Sequence, residues 1–334
     1  MAQQGGWIFP LTPTKYIQIG GGRLLKSDGE PYLNGARPVS PQYADIFQSY
    51  FSENFKSSWF NFVPFVISYH LPPRRRLEFI EESSALFIYQ ISNHGSNDSQ
   101  SRVDLFAPPC PLNKASLDCA LDAAKSNSQS EIRILWTDAK DLELLERLYG
   151  PKLESTVKDE EYIYSPRLVF ELKGSKYKDL RKKINRLERL EPVFRELETS
   201  DLPSAMKLLK NWRRTQGRKR DFLLDWGYTR SALDRQFYMN KSDITSWCVE
   251  IDGELEGFAM AGPISEDTAC FFIVKTNVDI SGLSEYLRWK VCEKFQAFKY
   301  LNDAGDLNLP GLRQHKMKMR PVGFNKVSSV KLFL

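Results

Sequence analysis

Apolar residues recur along the chain at two spacings, one typical of strands and the other of helices. In the first half they predict an aromatic core helix within 44–65, strands at 77–80, 85–91, 103–106 and 132–136, and helices at 114–126 and 139–149. In the second half they predict strands at 162–164, 168–172, 246–251, 255–261, 268–274 and 299–302, helices at 176–190, 201–217 and 283–298, and a Gly-Leu-Arg segment before a terminal strand. Gly or Pro follows several of these segments, as is common where helices and strands end.

The order of the predicted elements indicates a fold. Helix, helix, three-stranded meander, helix, strand resembles the acetyltransferase-like (GNAT-like) acyltransferase fold, and a weaker version of the same order precedes it. We therefore predict an α+β protein with a tandem GNAT-like fold, in which mixed, mostly antiparallel sheets are flanked by helices. The predicted domains are residues 1–155 and a catalytic domain at 156–334.

Composition narrows the class of protein. The 334 residues are 42% apolar and 27% charged, near the globular average, which excludes wholesale disorder, collagen and coiled coil. No run approaches the ~18 apolar residues of a membrane span, and the start lacks the pattern of a signal peptide, so we expect a cytoplasmic protein. Five cysteines without a Cys-x-x-Cys pair and three scattered histidines predict reduced thiols and no metal site.

Positive charge is concentrated in the helices predicted between Lys173 and Arg220. This window holds sixteen Lys or Arg against six Asp or Glu, a local excess of +10, while the rest of the chain sums to −5. Such a surface attracts phosphate-bearing partners, because neutralised phosphates release their counterions. Nucleic acid, an anionic lipid surface and a nucleotide cofactor all satisfy the pattern.

Three separated segments resemble one family. They are KGSKY at 173–177 with LRKKINR at 180–186, GFA at 257–259 with SGL at 281–283, and LNDAGDL at 301–307 with PGLR at 310–313, Lys316 and Pro321. Their order and spacing over about 158–322 are similar to the catalytic C-terminal domain of phosphatidylglycerol lysyltransferases and its free-standing relatives. The Gly-Leu-Arg-x-x-Lys segment followed by proline is the most specific of these motifs.

The resemblance implies transfer of an amino acid from aminoacyl-tRNA to a hydroxyl or amine acceptor, either a lipid such as phosphatidylglycerol or a small molecule or peptide. It implies no cofactor beyond aminoacyl-tRNA as co-substrate, no DNA partner, and leaves open a peripheral contact at the inner membrane face. The RNA donor accounts for the basic helices. The predicted tRNA-binding residues are Lys176, Lys178, Arg181, Lys182, Asn185, Arg186, Arg189, Arg213 and Arg214.

Candidate site residues follow the strand at 299–302, which in this fold separates from its neighbour and opens the donor slot. Arg313 and Lys316 are candidates to hold the terminal phosphate or the developing oxyanion, with a plain salt bridge to Asp306 as the alternative. Asp303 and Asp306 are candidates to bind the α-amino group or accept a proton, with turn capping as the alternative. The predicted substrate-binding residues are Lys275, Gly282 and Asn302.

The chain departs from the family pattern at one place. Lipid-lysylating members carry an acidic and a basic residue close together on the strand before Gly282, whereas residues 271–274 here are all apolar and only Lys275 follows. This departure counts against phosphatidylglycerol as the acceptor and leaves tRNA-dependent transfer as the prediction.

Two alternatives stay open. One is an acyl-CoA-dependent N-acyltransferase of the same fold, although the turn at 279–284 has one glycine and no preceding Arg or Gln to cradle a pyrophosphate. The other is a non-catalytic tandem GNAT-like protein that binds RNA.

Overall fold

The computed structural model describes residues 31–72, 75–93, 101–125, 130–215 and 221–333. The first half contains β1 (Arg37–Pro38), α1 (Ala44–Glu53), α2 (Val63–Tyr69), β2 (Arg75–Glu82), β3 (Ala85–Asn93), β4 (Ser101–Leu105), α3 (Lys114–Lys125), β5 (Glu131–Asp138), α4 (Ala139–Tyr149) and β6 (Leu153–Tyr164). After α5 (Pro166–Glu171) and α6 (Lys178–Glu188), the second half contains β7 (Val193–Glu196), α7 (Leu202–Thr215), α8 (Asp221–Arg235), β8 (Thr245–Ile251), β9 (Glu254–Pro263), β10 (Thr268–Thr276), α9 (Leu283–Lys294), β11 (Tyr300–Asn302), α10 (Pro310–Lys318) and β12 (Gly323–Phe333).

The same order of elements occurs twice. Both β1 to β6 and β7 to β12 run strand, two helices, three strands, helix, strand, helix, strand. This repetition confirms the predicted tandem acetyltransferase-like fold. The predicted domain boundary at 155/156 falls inside β6 and stays a prediction.

All twelve strands belong to one sheet, in the order β1-β2-β3-β4-β5-β12-β6-β11-β10-β9-β8-β7. The pairs β4–β5 and β10–β11 are parallel, and the other strand pairs are antiparallel, as in β2–β3 and β8–β9. The sheet is therefore mixed and mostly antiparallel, as predicted.

The two halves exchange their last strands. The strand that ends the first half, β6, pairs with β11 of the second half, and β12 pairs with β5 of the first. The exchanged strands also pair with each other, from Gly323 opposite Ile163 to Leu332 opposite Leu153. The sheet is continuous because each half is completed by a strand from the other.

Helices cover both faces of the sheet. Two adjacent residues of β8 belong to the cores on opposite faces of the sheet. Cys248 packs in one core with Leu209 of α7, and Val249 packs in the other with Ile184 of α6. The core with Cys248 also contains α1, α2 and α8, and it joins the two halves. A third core, under α3 and α4, contains Leu332 of β12.

One predicted strand is a helix. Residues 168–172 lie mostly in α5, which begins after the cap residue Ser165, has Pro166 in its first turn and ends at Leu172 with φ 50°. The apolar run was misleading because burial recurs at every third residue, Pro166, Val169 and Leu172, while Leu168 is exposed. This spacing is helical and differs from the continuous burial of an inner strand.

Other differences concern boundaries and one omission. The aromatic stretch 44–65 forms α1 and the start of α2, and the break between them includes Phe55 with φ 53°. The Gly-Leu-Arg segment is the helix α10, and β6 begins nine residues before the predicted strand at 162. Apolar spacing predicts no helix at α8, because polar and apolar residues are mixed along it.

Leu332 tests the exchange of strands. It is fully buried in the core of the first half although it lies on the last strand. We expect Leu332→Ala to lower the free energy of unfolding by about 2–5 kcal/mol, the usual cost of a core cavity. Urea unfolding measures this, with Lys331→Ala as the control because Lys331 is exposed on the same strand. Equal midpoints for the two variants would contradict the assignment of β12 to this core.

Candidate active site

The strands β10 and β11 separate after a short paired segment. The two strands pair only from Thr268 opposite Tyr300 to Cys270 opposite Asn302. Beyond this point β10 has a bulge between Phe271 and Ile273 against β9. The chain after β11 instead follows β6, since the backbone N–H of Asp303 donates to the carbonyl of Tyr162 at 2.9 Å. The separation lies where the resemblance placed the donor slot.

A buried charge network lies beside the point where β10 and β11 separate. The guanidinium of Arg288 on α9 donates to Asp303, and the Lys316 ammonium donates to the Asp303 carbonyl and, at 3.2 Å, to that of Ala304. The hydroxyl of Tyr164 lies 3.2 Å from Asp303 Oδ2. Lys316 is 4% exposed, and burial lowers its pKa. Protein groups thus engage both Asp303 and Lys316, and their catalytic roles stay predictions.

A second cluster joins the buried residues Tyr162 and Asp306 to the exposed Arg313. The hydroxyl of Tyr162 donates to Asp306 Oδ2 at 2.6 Å, and burial together with this hydrogen bond raises the pKa of Tyr162. Arg313 on α10 is exposed and makes no side-chain hydrogen bond or ion pair with the part of the chain that is described. The positive charge of Arg313 acts to lower the pKa of Tyr162, against the larger effect of burial. Arg313 is therefore the predicted site residue that is free to contact a substrate.

The loop that carries both aspartates has an unusual backbone. Ala304, Leu307 and Asn308 have φ values of 49°, 54° and 56°, a region that side chains other than Gly and Asn rarely adopt. Gly305 approaches Asp159 so closely that an added Cβ would lie 1.9 Å from that carboxylate. The surrounding contacts therefore hold Asp306 in a strained loop.

Glu161 links the site to the first half. It is fully buried and accepts hydrogen bonds from Asn302 and Asn325, each at 2.7 Å, and from the backbone N–H of Trp59 at 3.1 Å. Burial raises the pKa of Glu161 to about 7 despite these donors. Asn302 therefore lies in a structural junction, and its predicted contact with substrate stays a prediction.

The first turn of α9 is covered by α6. Gly282 caps this helix with φ 93°, and an added Cβ would lie 3.2 Å from the Lys183 carbonyl. Glu285 in this turn forms an ion pair with Lys183 and lies 3.7 Å from His315. Burial lowers the pKa of His315 to about 4, so the imidazole is neutral at pH 7. A carboxylate and a packed helix occupy the place where a pyrophosphate cradle would require free amides.

Lys275 is paired inside the protein. It is 6% exposed, and its ammonium lies 2.8 and 3.0 Å from the oxygens of Asp225 on α8 and 4.3 Å from the centre of the Trp212 ring. Its role in substrate binding stays a prediction. Sequence reasoning missed Asp225 because it did not find α8.

The predicted tRNA-binding residues form two separate surfaces. Those on or beside α6 lie on the sheet face opposite to α7, which carries Arg213 and Arg214. Arg181 is turned inward and donates to the carbonyls of Leu172 and Gly174, while Arg213 lies 4.0 Å from the Trp226 ring. The exposed members on or beside α6 are Lys176, Lys178, Lys182, Asn185, Arg186 and Arg189.

Sequence reasoning also missed Arg288, Tyr162 and Tyr164. Two tyrosines at alternate positions of a predicted strand lie on one face, which was a usable signal for the hydroxyls that contact Asp306 and Asp303. Arg288 gave no comparable signal, since a single arginine on a helix is usually exposed.

The sequence of this chain resembles that of a known protein family. The model of the family described as phosphatidylglycerol lysyltransferase, C-terminal, matches residues 74–328. The chain belongs to this family. The family description names a transferase, so membership indicates that this chain is a transferase. No curated protein matches.

Solved structures of members and relatives share the fold. A conserved protein of unknown function from Bacteroides thetaiotaomicron has a TM-score of 0.70 at 18% identity, covering 90% of this chain and 99% of that one. The L-PGS of Bacillus licheniformis has a TM-score of 0.63 at 17% identity, over 89% and 92% of the two chains. The C-terminal domain of a putative lysylphosphatidylglycerol synthetase from Agrobacterium fabrum has a TM-score of 0.59 at 15% identity, over 88% and 92%.

Within the described ranges, no group of three His, Cys, Asp or Glu side chains is arranged to hold a metal ion. None of the described helices combines the length and the apolar character needed to cross a bilayer.

Glu161 predicts a pH dependence of stability. Its pKa of about 7 in the folded protein exceeds the value of about 4.3 in an unfolded chain, so the folded state binds the additional proton. The resulting stabilisation is complete below about pH 4 and is lost as the pH rises through about 7. We expect Glu161→Gln to flatten the fall in unfolding free energy between about pH 5 and 8, measured by urea unfolding.

Glu154→Gln is the matched control for this measurement, because Glu154 lies on the same strand and is exposed. The control should keep the slope of the unaltered protein. A slope in Glu161→Gln equal to that of the control would show that Glu161 does not titrate in this range.

Proposed function

We propose that the protein transfers an aminoacyl group from aminoacyl-tRNA to a hydroxyl or amine acceptor. The match to the phosphatidylglycerol lysyltransferase C-terminal family over residues 74–328 carries this proposal. The acceptor class includes lipids such as phosphatidylglycerol, small molecules and peptides. The apolar stretch at 271–274 favours an acceptor other than phosphatidylglycerol.

The reaction requires little of the protein. An aminoacyl ester is already activated, so the site must align ester and acceptor, assist removal of one proton and stabilise a tetrahedral oxyanion. Arg313 fits the last role because its guanidinium is exposed near the Tyr162–Asp306 pair and lacks a described carboxylate partner. Asp306, hydrogen-bonded to Tyr162, is the candidate for the α-amino group or the proton.

The exposed face of α6 suits an RNA donor. Lys178, Lys182 and Arg186 recur every four residues and are all exposed, so they lie along one side of the helix. This helix contacts the first turn of α9 through Lys183, and α10 contacts the same turn through His315. A tRNA on α6 would therefore lie beside the helix that carries Arg313.

The arrangement around α9 distinguishes this proposal from an acyl-CoA-dependent reaction. The carboxylate of Glu285 and the packing of Gly282 against Lys183 occupy the helix N-terminus. The packing of Gly282 against Lys183 leaves little room for a pyrophosphate to approach the backbone at this turn.

Transfer of label tests the function. We expect incubation with a mixture of radiolabelled aminoacyl-tRNAs and a cell extract to give a labelled product whose formation is abolished by ribonuclease. Label transfer from acetyl-CoA without tRNA would support an acyl-CoA-dependent enzyme instead. Binding of tRNA with no transfer to any acceptor would support a binding protein.

Arg313→Ala is the informative variant in the same assay. Loss of an oxyanion-stabilising group lowers turnover by about 100-fold or more, and an exposed residue without partners should leave the melting temperature unchanged. Lys318→Ala is the control, since Lys318 is exposed on the same helix. An early-melting Arg313→Ala protein with full specific activity would show a structural role.

Charge reversal on α6 tests the RNA surface. We expect Lys182→Glu with Arg186→Glu to weaken tRNA binding about tenfold or more at low salt, because two phosphate contacts are lost. The slope of log affinity against log salt should fall by about one for each lost contact. Filter binding at several salt concentrations measures both quantities.

The control for this pair is Lys140→Glu with Arg147→Glu, which makes the same change in charge on exposed positions of α4. The control should bind tRNA nearly as the unaltered protein does. Equal losses in both double variants would mean that net charge, and not the α6 surface, determines binding.

A further inference from the structure

A cleft of about 400 Å³ lies between α7 and the adjoining ends of β9 and β10. It is on the sheet face opposite to α6, and neither Arg313 nor Asp306 lines it. This volume lies in the range of small-molecule sites. The cleft is thus separate from Arg313, Asp306 and the exposed face of α6, although it includes Arg214, which the sequence analysis assigned to tRNA binding.

The α7 wall of the cleft is positive. Lys207 and Arg214 both line it and are exposed. They are seven residues apart on one helix face, or about 10 Å along the axis. Neither forms an ion pair with a described carboxylate. This wall therefore offers two cations to an anionic group.

The opposite wall is negative. Glu254 and Glu256 come from β9, and Asp279 follows β10. Glu256 accepts a hydrogen bond from the Asn277 side chain at 2.8 Å, and within the described ranges none of the three carboxylates is paired with a cation. Opposite charges thus face each other across the cleft without forming an ion pair.

An aromatic ring lies between the charged walls. Trp212 lines the cleft, and the Lys275 ammonium, held by Asp225, lies 4.3 Å from its ring centre. Leu208 and Leu255 add apolar surface. The buried ion pair keeps the ring in place, so the cleft has a fixed surface for a short hydrocarbon segment.

We propose that this cleft binds a small zwitterion of the amino-acid class, with its carboxylate toward Lys207 and Arg214 and its ammonium toward Glu256. A ligand of this kind matches both walls at once. An anion alone leaves three carboxylates unmatched, and a polyphosphate is repelled by them. The inference goes beyond the proposed function, since it requires binding of a free zwitterion and not its reaction.

The chemistry of the ligand can be tested in three arms. Calorimetric titration uses the free α-amino acids and glycylglycine as zwitterions, N-acetyl amino acids as anions, and amino-acid amides as cations. We expect one or more zwitterions to bind at millimolar concentration or below. The matching N-acetyl and amide forms should each bind at least about tenfold more weakly, since each loses one charged hydrogen-bonding group.

Variants on the two walls assign the orientation. Glu256→Gln should weaken the zwitterion and the amide about tenfold and leave the N-acetyl form unchanged. Arg214→Gln should weaken the zwitterion and the N-acetyl form and leave the amide unchanged. Lys210→Gln is the control, because Lys210 is exposed on α7 and does not line the cleft.

Three results would overturn the inference. They are absence of binding by every zwitterion, equal affinity of an amino-acid amide and its parent zwitterion, and zwitterion binding that neither wall variant changes. The second result would indicate a site for an aminoacyl group and not for a free amino acid. Because no arm contains tRNA, failure here leaves the transfer assay unaffected, and failure of transfer leaves this binding test intact.

Discussion

The pairing of β6 with β12 is the constraint on which the rest of the molecule depends. These strands lie in the middle of the sheet, and each supplies the outer neighbour that the other half lacks. The pairing brings Tyr162 of β6 beside the loop after β11 and carries Asn325 of β12 to Glu161. Removal of either strand would therefore leave both the sheet and the candidate site incomplete.

Most charged groups of the candidate site are buried. Arg288, Asp303 and Lys316 are removed from water, a costly state that is tolerated because each charge contacts another charge or a carbonyl. Asp306 and Tyr162 are buried as well, whereas Arg313 beside them is exposed. The buried network can thus orient the loop that carries Asp306, while the strained backbone at Ala304 and Leu307 is held by its contacts.

The sequence could predict the fold to a useful degree but only part of the site. Regular spacing located most helices and strands. The motif at 310–313 directed attention to the end of β11, where the site stays a prediction. Helices α5 and α8 were not predicted, because the apolar face of each is short or interrupted by polar residues. Pairings such as Lys275 with Asp225 and Asp303 with Arg288 join residues distant in sequence or on elements not predicted. Local pattern also did not show that α6 and α7 lie on opposite faces.

The exchange of strands has a consequence for biosynthesis. Translation delivers β5 long before β12, so the first half leaves the ribosome with the edge of β5 lacking its eventual neighbour. An open strand edge readily pairs with other chains. The nascent polypeptide must therefore remain protected until β12 has been made, and crowding of partly synthesised copies would favour intermolecular insertion of that strand.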